Sequence, residues 1–289
     1  MALAKHIHVT VNKRFDSSVR VSYSKTEIVN DFEELEHELV REAMRITGVT
    51  HSVEITTIAD IPSRGTGLGS SSALTVGLLN ALHTFAGRNP DAAQLADEAC
   101  QIEIDILGQP IGRQDQYAAA FGGSNQIVFM PDDSVIVTPI EIDAGDLASN
   151  YFLVYTGITR KASDILAKQS ASSEKKRADL DALRQQAVEV RAALETGDHA
   201  HVGQLLDASW RIKRSLVDGI TGEALDDLYS VVMELGTSGG KLLGAGGGGF
   251  FLFQGSPEIQ SKLQDSYKVI PLTMDTDGST IIFDDGSRI

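Results

Sequence analysis

Apolar and polar residues alternate near the start of the chain. β-Branched residues alternate with polar ones over Ile7–Val11 and again over Val19–Tyr23, and this spacing predicts two strands that each bury one face. The residues between them, 12–18, are polar and typical of a turn. We therefore expect the two strands to pair as a hairpin. A further strand is predicted over Val53–Ala59.

Helical periodicity marks most of the first half of the chain. Asp31 is placed to cap a helix in which Phe32, Leu35 and Leu39 recur at helical spacing, and this helix is expected to reach Ile46. The other predicted elements of this half are helices over Ser70–Leu82, Asp91–Leu107 and Gln114–Phe121, and strands near residues 126–130 and 134–140. Together they indicate an α+β unit.

The composition shifts near the middle of the chain. Residues 141–149 are acidic and turn-prone, which predicts a boundary between a domain of residues 1–148 and a domain of residues 149–289. The second half is expected to contain strands at 151–156, 250–253, 268–273 and 279–283, and helices at 172–195, 200–215 and 222–236 and after Pro257.

Charge and cysteine content narrow the classes of partner. The 289 residues carry 25 Lys and Arg against 40 Asp and Glu, a net charge of −15, so the surface repels nucleic acid and anionic membranes. Any bound phosphate must therefore be held by groups at its own binding site and not by the overall charge of the protein. Cys100 is the single cysteine, which excludes an internal disulfide, and the sequence shows neither a membrane-spanning apolar run nor a secretory signal. We expect a cytoplasmic protein.

A glycine-rich loop precedes the predicted helix at Ser70. Gly65, Gly67 and Gly69 are spaced so that backbone N–H groups can approach an anion, and the hydroxyls of Ser70–Ser72 follow at the helix N-terminus. This arrangement suits a triphosphate and a coordinated Mg²⁺. It is neither a Walker loop, which needs a lysine, nor the dinucleotide-binding glycine pattern. A serine-capped helix after a flexible loop remains the alternative.

Two carboxylates and a second glycine-rich segment follow. Glu103 and Asp115 flank a turn that contains glycine and proline, so one could hold a metal ion while the other handles a proton. Solvated helix residues are the alternative. Residues 239–250 include seven glycines directly before an apolar strand, a density that suits close approach of a ligand or of another backbone. A glycine-rich turn without a ligand is also acceptable.

These three elements, in this order, resemble the GHMP kinase superfamily of small-molecule kinases. The resemblance rests on Pro62–Ala73 as the phosphate loop, on Glu103 with Asp115 as the carboxylates, and on Gly239–Phe253 as the C-terminal glycine loop. Within the superfamily the sequence is most similar to D-glycero-D-manno-heptose 7-phosphate kinases. The segments that carry this closer similarity are residues 75–79, 114–123, 156–163 and 240–246.

The resemblance implies a fold and a set of roles. The fold is an N-terminal α+β nucleotide-binding domain followed by a C-terminal ferredoxin-like α/β sandwich. Asp115 would orient or deprotonate the acceptor hydroxyl, and Glu103 would bind Mg²⁺ together with Ser71, for which Ser70 is a near rival. The implied ATP-binding residues are Gly65, Gly67, Leu68, Gly69, Ser70, Ser71 and Ser72. The implied substrate-binding residues are Gly246, Gly247 and Gly248, with Arg64, Arg113, Arg160 and Lys213 as cations for a sugar phosphate.

The implied reaction is transfer of the γ-phosphate of ATP, with Mg²⁺, to the anomeric hydroxyl of a heptose 7-phosphate in nucleotide-heptose synthesis. Another hexose or fucose-type kinase of the superfamily is the first alternative. The family also opens with an arginine-bearing strand and a Gly-Gly-Thr-Asp-like turn, which this sequence does not contain. A truncated, ATP-binding but non-catalytic homologue is therefore the second alternative. The oligomeric state, including a homodimer, is left open.

Overall fold

The computed structural model describes residues 1–61, 66–159, 165 and 176–288. The described residues form two compact units. The first takes those of Met1–Ser63, Gly69–Gly123 and Asp275–Ile289, and the second takes those of Arg64–Leu68 and Ser124–Met274. The predicted boundary at 148/149 differs from this division, because residues 124–148 lie in the second unit. The acidic stretch that suggested a boundary is a loop and helix start inside that unit.

The first unit contains a four-stranded sheet of order β1-β4-β2-β3. Its strands are β1 (Ile7–Lys13), β2 (Val19–Ser22), β3 (Thr26–Val29) and β4 (Val53–Ala59). The predicted hairpin between β1 and β2 is wrong, because β4 lies between them. It pairs antiparallel with β1 and parallel with β2.

Burial explains why β4 takes the central position. In the parallel pair, Val19 lies opposite Val53 and Val21 opposite Ile55, and all four side chains are fully buried. A hairpin between β1 and β2 would give these valines the alternating, partly exposed residues of β1 as neighbours. The sheet therefore places the buried apolar face of β2 beside the buried apolar face of β4.

Helices cover the remainder of the first unit. Asp31 accepts a hydrogen bond from the Glu33 amide, but it caps only a 3₁₀ turn at Phe32–Glu34, because Leu35 is extended and interrupts the predicted helix. The α-helices are α1 (Glu38–Thr47), α2 (Ser70–Phe85), α3 (Ala92–Cys100) and α4 (Gln114–Phe121). A π-helical segment, Gln101–Ile106, continues directly from α3.

The chain returns to the first unit at its C-terminal end. The strand predicted at 279–283 is wrong, because the backbone there makes its described hydrogen bonds with helices. The Ser279 amide donates to the Ala120 carbonyl at 3.3 Å, and the Asn80 side chain donates to the Ser279 carbonyl at 3.1 Å. Ile282 and Phe283 are exposed.

The second unit is built on an antiparallel sheet of order β10-β7-β9-β8. The strands are β7 (Tyr151–Tyr155), β8 (Gly239–Leu242), β9 (Phe250–Gln254) and β10 (Val269–Pro271), with a separate hairpin of β5 (Asn125–Phe129) and β6 (Val135–Pro139). The helices are α5 (Ala144–Asn150), α6 (Arg177–Glu195), α7 (His199–Arg214), α8 (Glu223–Glu234) and α9 (Pro257–Gln264).

Aromatic residues form much of the core of the second unit. Phe152 of β7 and Phe251 and Phe253 of β9 are fully buried, as is Trp210 of α7. The Trp210 ring meets Phe251 edge-on with centroids 5.5 Å apart, so this side chain holds a helix to the sheet. No helix in the described ranges has the length and apolarity needed to cross a bilayer.

Candidate active site

Helix α2 starts after a glycine in the left-handed conformation. Gly69 precedes it with φ +69°, a conformation that L side chains rarely adopt. The Ala73 amide donates to the Gly69 carbonyl at 3.0 Å, so the helix is regular from its first turn. That turn contains no acidic residue. Its amides and the positive end of the helix dipole can therefore attract an anion without competition from a carboxylate in the same turn.

Asp115 lies directly against this helix start. It occupies the first turn of α4, and a β-carbon built on Gly69 would lie 3.1 Å from Asp115 Cγ and 3.3 Å from Oδ2. Only a residue without a side chain lets the carboxylate approach so closely. The candidate base is thus held beside the amides that would bind phosphate.

Glu103 lies buried beneath the same helix start. It belongs to the π-helical segment and has no exposed surface. The Gln116 amide Nε2 donates to Glu103 Oε2 at 2.6 Å. Burial raises the pKa of Glu103, hydrogen bonding from Ser71, Gln116 and Ser72 opposes that rise, and the charge of Asp115 adds to it. A buried carboxylate with these partners is a site that favours a cation.

The oxygens around Glu103 fit Mg²⁺. Glu103 Oε1 is buried and has no hydrogen-bond partner within the described part of the chain. A buried acceptor oxygen of this kind is stabilised by a donor or by a cation. The hydroxyl of Ser71 acts on the same carboxylate. Carboxylate and hydroxyl oxygens are the hard ligands that Mg²⁺ takes, usually with several waters.

The second glycine-rich segment is packed against backbone within the second unit. A β-carbon on Gly244 would lie 2.5 Å from Gly67 Cα, and one on Gly67 would lie 3.0 Å from the Leu243 carbonyl oxygen. Both glycines have positive φ, +63° and +72°. The described end of the phosphate loop and the C-terminal glycine loop therefore interlock through their main chains.

The rest of this loop is held in the same way. The Gly247 amide donates to the Ile220 carbonyl and the Gly249 amide to the Ile158 carbonyl, each at 2.8 Å. A β-carbon would lie 2.9 Å from a side-chain carbon of Ile220 at Gly246 and 2.9 Å from the carbonyl carbon of Ile158 at Gly248. Contact with the protein's own backbone accounts for these glycines. Their predicted contact with substrate stays a prediction.

Two of the four predicted cations lie in the described residues. Lys213 Nζ donates to the carbonyl oxygens of Leu242 and Gly244, so it supports the glycine loop. Arg113 lies beside Tyr117 and lowers the pKa of that phenol, although burial raises it overall to about 12. Arg64 and Arg160, like Gly65 of the phosphate loop, lie outside the described residues.

The first unit thus brings together Gly69, Ser71, Ser72, Glu103 and Asp115, and their functional roles stay predictions. Sequence reasoning assigned no role to Gln116, although it is fully buried and bonded to Glu103. Its position next to Asp115 was the available signal. Gly244 was also missed as the partner of Gly67, because its contact depends on tertiary packing.

Two parts of the chain match models of known protein domains. Residues 32–123 match the GHMP kinases N terminal domain and residues 190–269 match the GHMP kinases C terminal domain. The D-glycero-alpha-D-manno-heptose 7-phosphate kinase of Campylobacter jejuni is 34% identical over 271 residues, which are 87% of this chain and 79% of that protein. The galactokinase of Pyrococcus furiosus is 30% identical over 73% of this chain and 65% of its own length.

A solved structure shows the same fold. The D-glycero-D-manno-heptose 1-phosphate kinase of Bacteroides thetaiotaomicron superposes with a TM-score of 0.79 at 25% identity, over 98% of this chain and 89% of that one. The expected α+β, two-domain architecture is confirmed. The chain therefore belongs to the GHMP kinases, a family of ATP-dependent small-molecule phosphotransferases.

Proposed function

We propose that the protein uses ATP and Mg²⁺ to phosphorylate the anomeric hydroxyl of D-glycero-D-manno-heptose 7-phosphate, as a cytoplasmic step of nucleotide-heptose synthesis. The observation that carries the chemistry is the approach of Asp115 to Gly69 at the start of α2, with Glu103 buried nearby. The choice of sugar is supported by the 34% identity to a heptose 7-phosphate kinase over most of the chain.

Phosphate binding falls to the loop that leads into α2. Backbone amides from Gly67 to Ser72 and the N-terminal end of the helix dipole supply positive potential without a lysine. This local source of positive potential suits a chain with a net charge of −15, because the overall negative charge of the protein does not attract ATP. Glycine at position 69 allows the positive φ of this turn, and the turn brings these amides to one side.

Asp115 acts on the acceptor sugar. It accepts a hydrogen bond from the anomeric hydroxyl and takes its proton as the oxygen bonds to the γ-phosphorus. The bond between that phosphorus and the bridging oxygen breaks, and ADP leaves with the electron pair. The transition state of phosphoryl transfer is loose, and the rate depends on how the reacting groups are positioned. The carboxylate therefore contributes orientation as well as basicity.

Glu103 Oε1 and the hydroxyl of Ser71 would hold Mg²⁺. When bound, the ion neutralises charge that develops on the phosphate oxygens. The protein's own contribution is a buried, ionisable carboxylate whose second oxygen is fixed by Gln116. Lys213 contributes indirectly, because its two carbonyl contacts support the glycine loop.

A substrate panel tests this proposal. ADP release is measured with heptose 7-phosphate, heptose 1-phosphate, galactose, L-fucose and mevalonate under identical ATP and Mg²⁺. We expect kcat/KM for heptose 7-phosphate to exceed that for each unphosphorylated compound by at least about 100-fold, since a site built for a charged group strongly rejects analogues that lack it. A preference for a free sugar would instead assign a hexose or fucose-type kinase.

The galactokinase relative gives that alternative a specific basis, at 30% identity over 73% of the chain. A different result would show that the protein is a non-catalytic homologue that binds ATP. Calorimetry would then show saturable ATP binding while no compound of the panel raises ADP release above the rate of ATP hydrolysis in its absence.

A further inference from the structure

Gln116 is a buried polar residue that the proposed reaction does not use directly. It lies on α4, one residue after Asp115, and has no exposed surface. Successive helix residues point about 100° apart, so the two side chains serve different neighbours. Asp115 lies against Gly69, whereas Gln116 Nε2 donates to Glu103 Oε2 at 2.6 Å.

This bond makes the two oxygens of Glu103 unequal. Oε2 accepts the bond from Gln116, while Oε1 makes no bond of hydrogen-bond geometry among the described residues, although the hydroxyls of Ser71 and Ser72 also act on this carboxylate. The amide cannot simply be reversed, because its oxygen would then face a carboxylate oxygen at hydrogen-bond distance. The Gln116 Oε1 atom is itself buried and without a partner in the described part of the chain. The pair thus leaves two buried acceptor oxygens unsatisfied, a state that a hydrated cation relieves.

The backbone conformation around Glu103 is a second reason for a hydrogen bond from the Gln116 side chain. Glu103 lies in a π-helical segment, in which the Leu107 amide donates to the Ile102 carbonyl five residues earlier at 3.0 Å. Such widened turns often lie at functional sites. The charge of Asp115 also repels Glu103. The Gln116 amide holds the Glu103 carboxylate against α4. This hydrogen bond offsets both the widened backbone turn and the repulsion from Asp115, which lies on the same helix.

We propose that Gln116 is a positioning residue for the metal-binding carboxylate: it occupies Glu103 Oε2 and thereby presents Oε1 to the divalent ion. This inference rests on the proposed function only in assuming a metal–nucleotide ligand; it is independent of which sugar is phosphorylated. Outer-shell partners of this kind orient a ligand, and their loss typically weakens metal affinity by about 10- to 100-fold.

The test compares Gln116→Met with Gln114→Met. Methionine keeps the length of the side chain but cannot donate a hydrogen bond, and Gln114 is an exposed residue on the same helix. Binding of Mn²⁺ is followed by electron paramagnetic resonance in the presence of a non-hydrolysable ATP analogue. We expect Gln116→Met to weaken Mn²⁺ binding by about tenfold or more, and Gln114→Met to leave it within twofold.

Two further readouts separate positioning from a structural role. Binding of the analogue in EDTA should stay within twofold of wild type, and excess Mg²⁺ should restore most of kcat. In a Glu103→Gln background, Gln116→Met should cause no additional loss of Mn²⁺ affinity, because the amide acts through that carboxylate. If Gln116→Met does not fold, Gln116→Asn replaces it, since asparagine is one methylene too short to keep the contact.

Wild-type Mn²⁺ affinity in Gln116→Met or Gln116→Asn would overturn the inference. So would an equal loss in the presence and absence of Glu103. Because the Mn²⁺- and nucleotide-binding measurements need no sugar, a failure of heptose 7-phosphate as substrate would contradict the proposed function and leave their result standing.

Discussion

Asp115 and Gly69 are in direct contact, and the contact requires glycine: a β-carbon at position 69 would lie 3.1 Å from Asp115 Cγ. The same glycine has φ +69° at the start of α2. One residue thus shapes the turn before the helix and admits the carboxylate to it. The backbone geometry of this turn and the position of the candidate base are therefore coupled.

The first prediction is that Gly69→Ala loses activity beyond its loss of stability. The positive φ costs about 1–2 kcal/mol for any L residue, and the new methyl group also displaces Asp115. We expect kcat to fall by at least about tenfold, as a misplaced catalytic group does. Steady-state kinetics and thermal unfolding measure the two effects.

Gly48→Ala is the matched control for that variant. Gly48 ends α1 with φ +67° and has nothing within 4 Å of a built β-carbon. It should lose similar stability and keep wild-type kcat. Equal kcat losses in both variants would show that Gly69 matters only for folding.

The second prediction concerns Asp115→Asn. The amide keeps the size of the side chain but cannot accept the sugar proton, so kcat should fall by about 10²–10⁴-fold. Affinity for ATP, measured by calorimetry, should change little, because the phosphates are held by backbone amides. An unchanged rate would remove Asp115 from the mechanism.

The third prediction is that Gly244→Ala weakens nucleotide binding. A β-carbon there would lie 2.5 Å from Gly67 Cα, so the phosphate loop must shift. We expect the KM for ATP to rise while kcat at saturating ATP changes less. Gly197→Ala, at φ +69° with open space around it, is the control and should affect stability alone.

The fourth prediction uses the pKa of Glu103, which burial raises. The folded protein therefore binds this proton more tightly than the unfolded chain, and without metal its stability falls as pH rises from roughly 4.3, the ordinary pKa of a glutamate, through the raised folded pKa. Glu103→Gln should remove that part of the pH dependence and be more stable than wild type at neutral pH in EDTA.

Urea unfolding across pH, with and without Mg²⁺ and a non-hydrolysable ATP analogue, measures this effect. The ligand should stabilise wild type strongly and Glu103→Gln weakly. If Glu103→Gln is less stable than wild type in EDTA at neutral pH, the buried carboxylate stabilises the metal-free fold and its assignment as a cation site is wrong.

Local signals in the sequence predict much of this fold. The strand predicted at Val53–Ala59 (β4) and the helix predicted at Gln114–Phe121 (α4) both have the observed bounds. The glycines, serines and carboxylates of the first unit were singled out as candidates from residue type and spacing, and their roles stay predictions. These features depend on a few neighbouring residues, which is why they are readable from the chain alone.

Features that depend on partners distant in sequence were missed. The insertion of β4 between β1 and β2 is decided by the burial of Val21 against Ile55, and no local pattern specifies it. Residues 279–283 include Thr, Ile and Phe, which favour strands, but Asn80 and Ala120 take up the hydrogen bonds of Ser279. The contact of Gln116 with Glu103 likewise depends on the packing of α4 beside the π-helical segment.

The most direct test of the proposed function is ³¹P NMR of the wild-type protein with ATP, Mg²⁺ and D-glycero-D-manno-heptose 7-phosphate. We expect a heptose 1,7-bisphosphate, formed in equal amount to ADP, and none with Asp115→Asn. Accumulation of ADP with inorganic phosphate, or ATP that remains intact while the protein binds it, would contradict the proposed function.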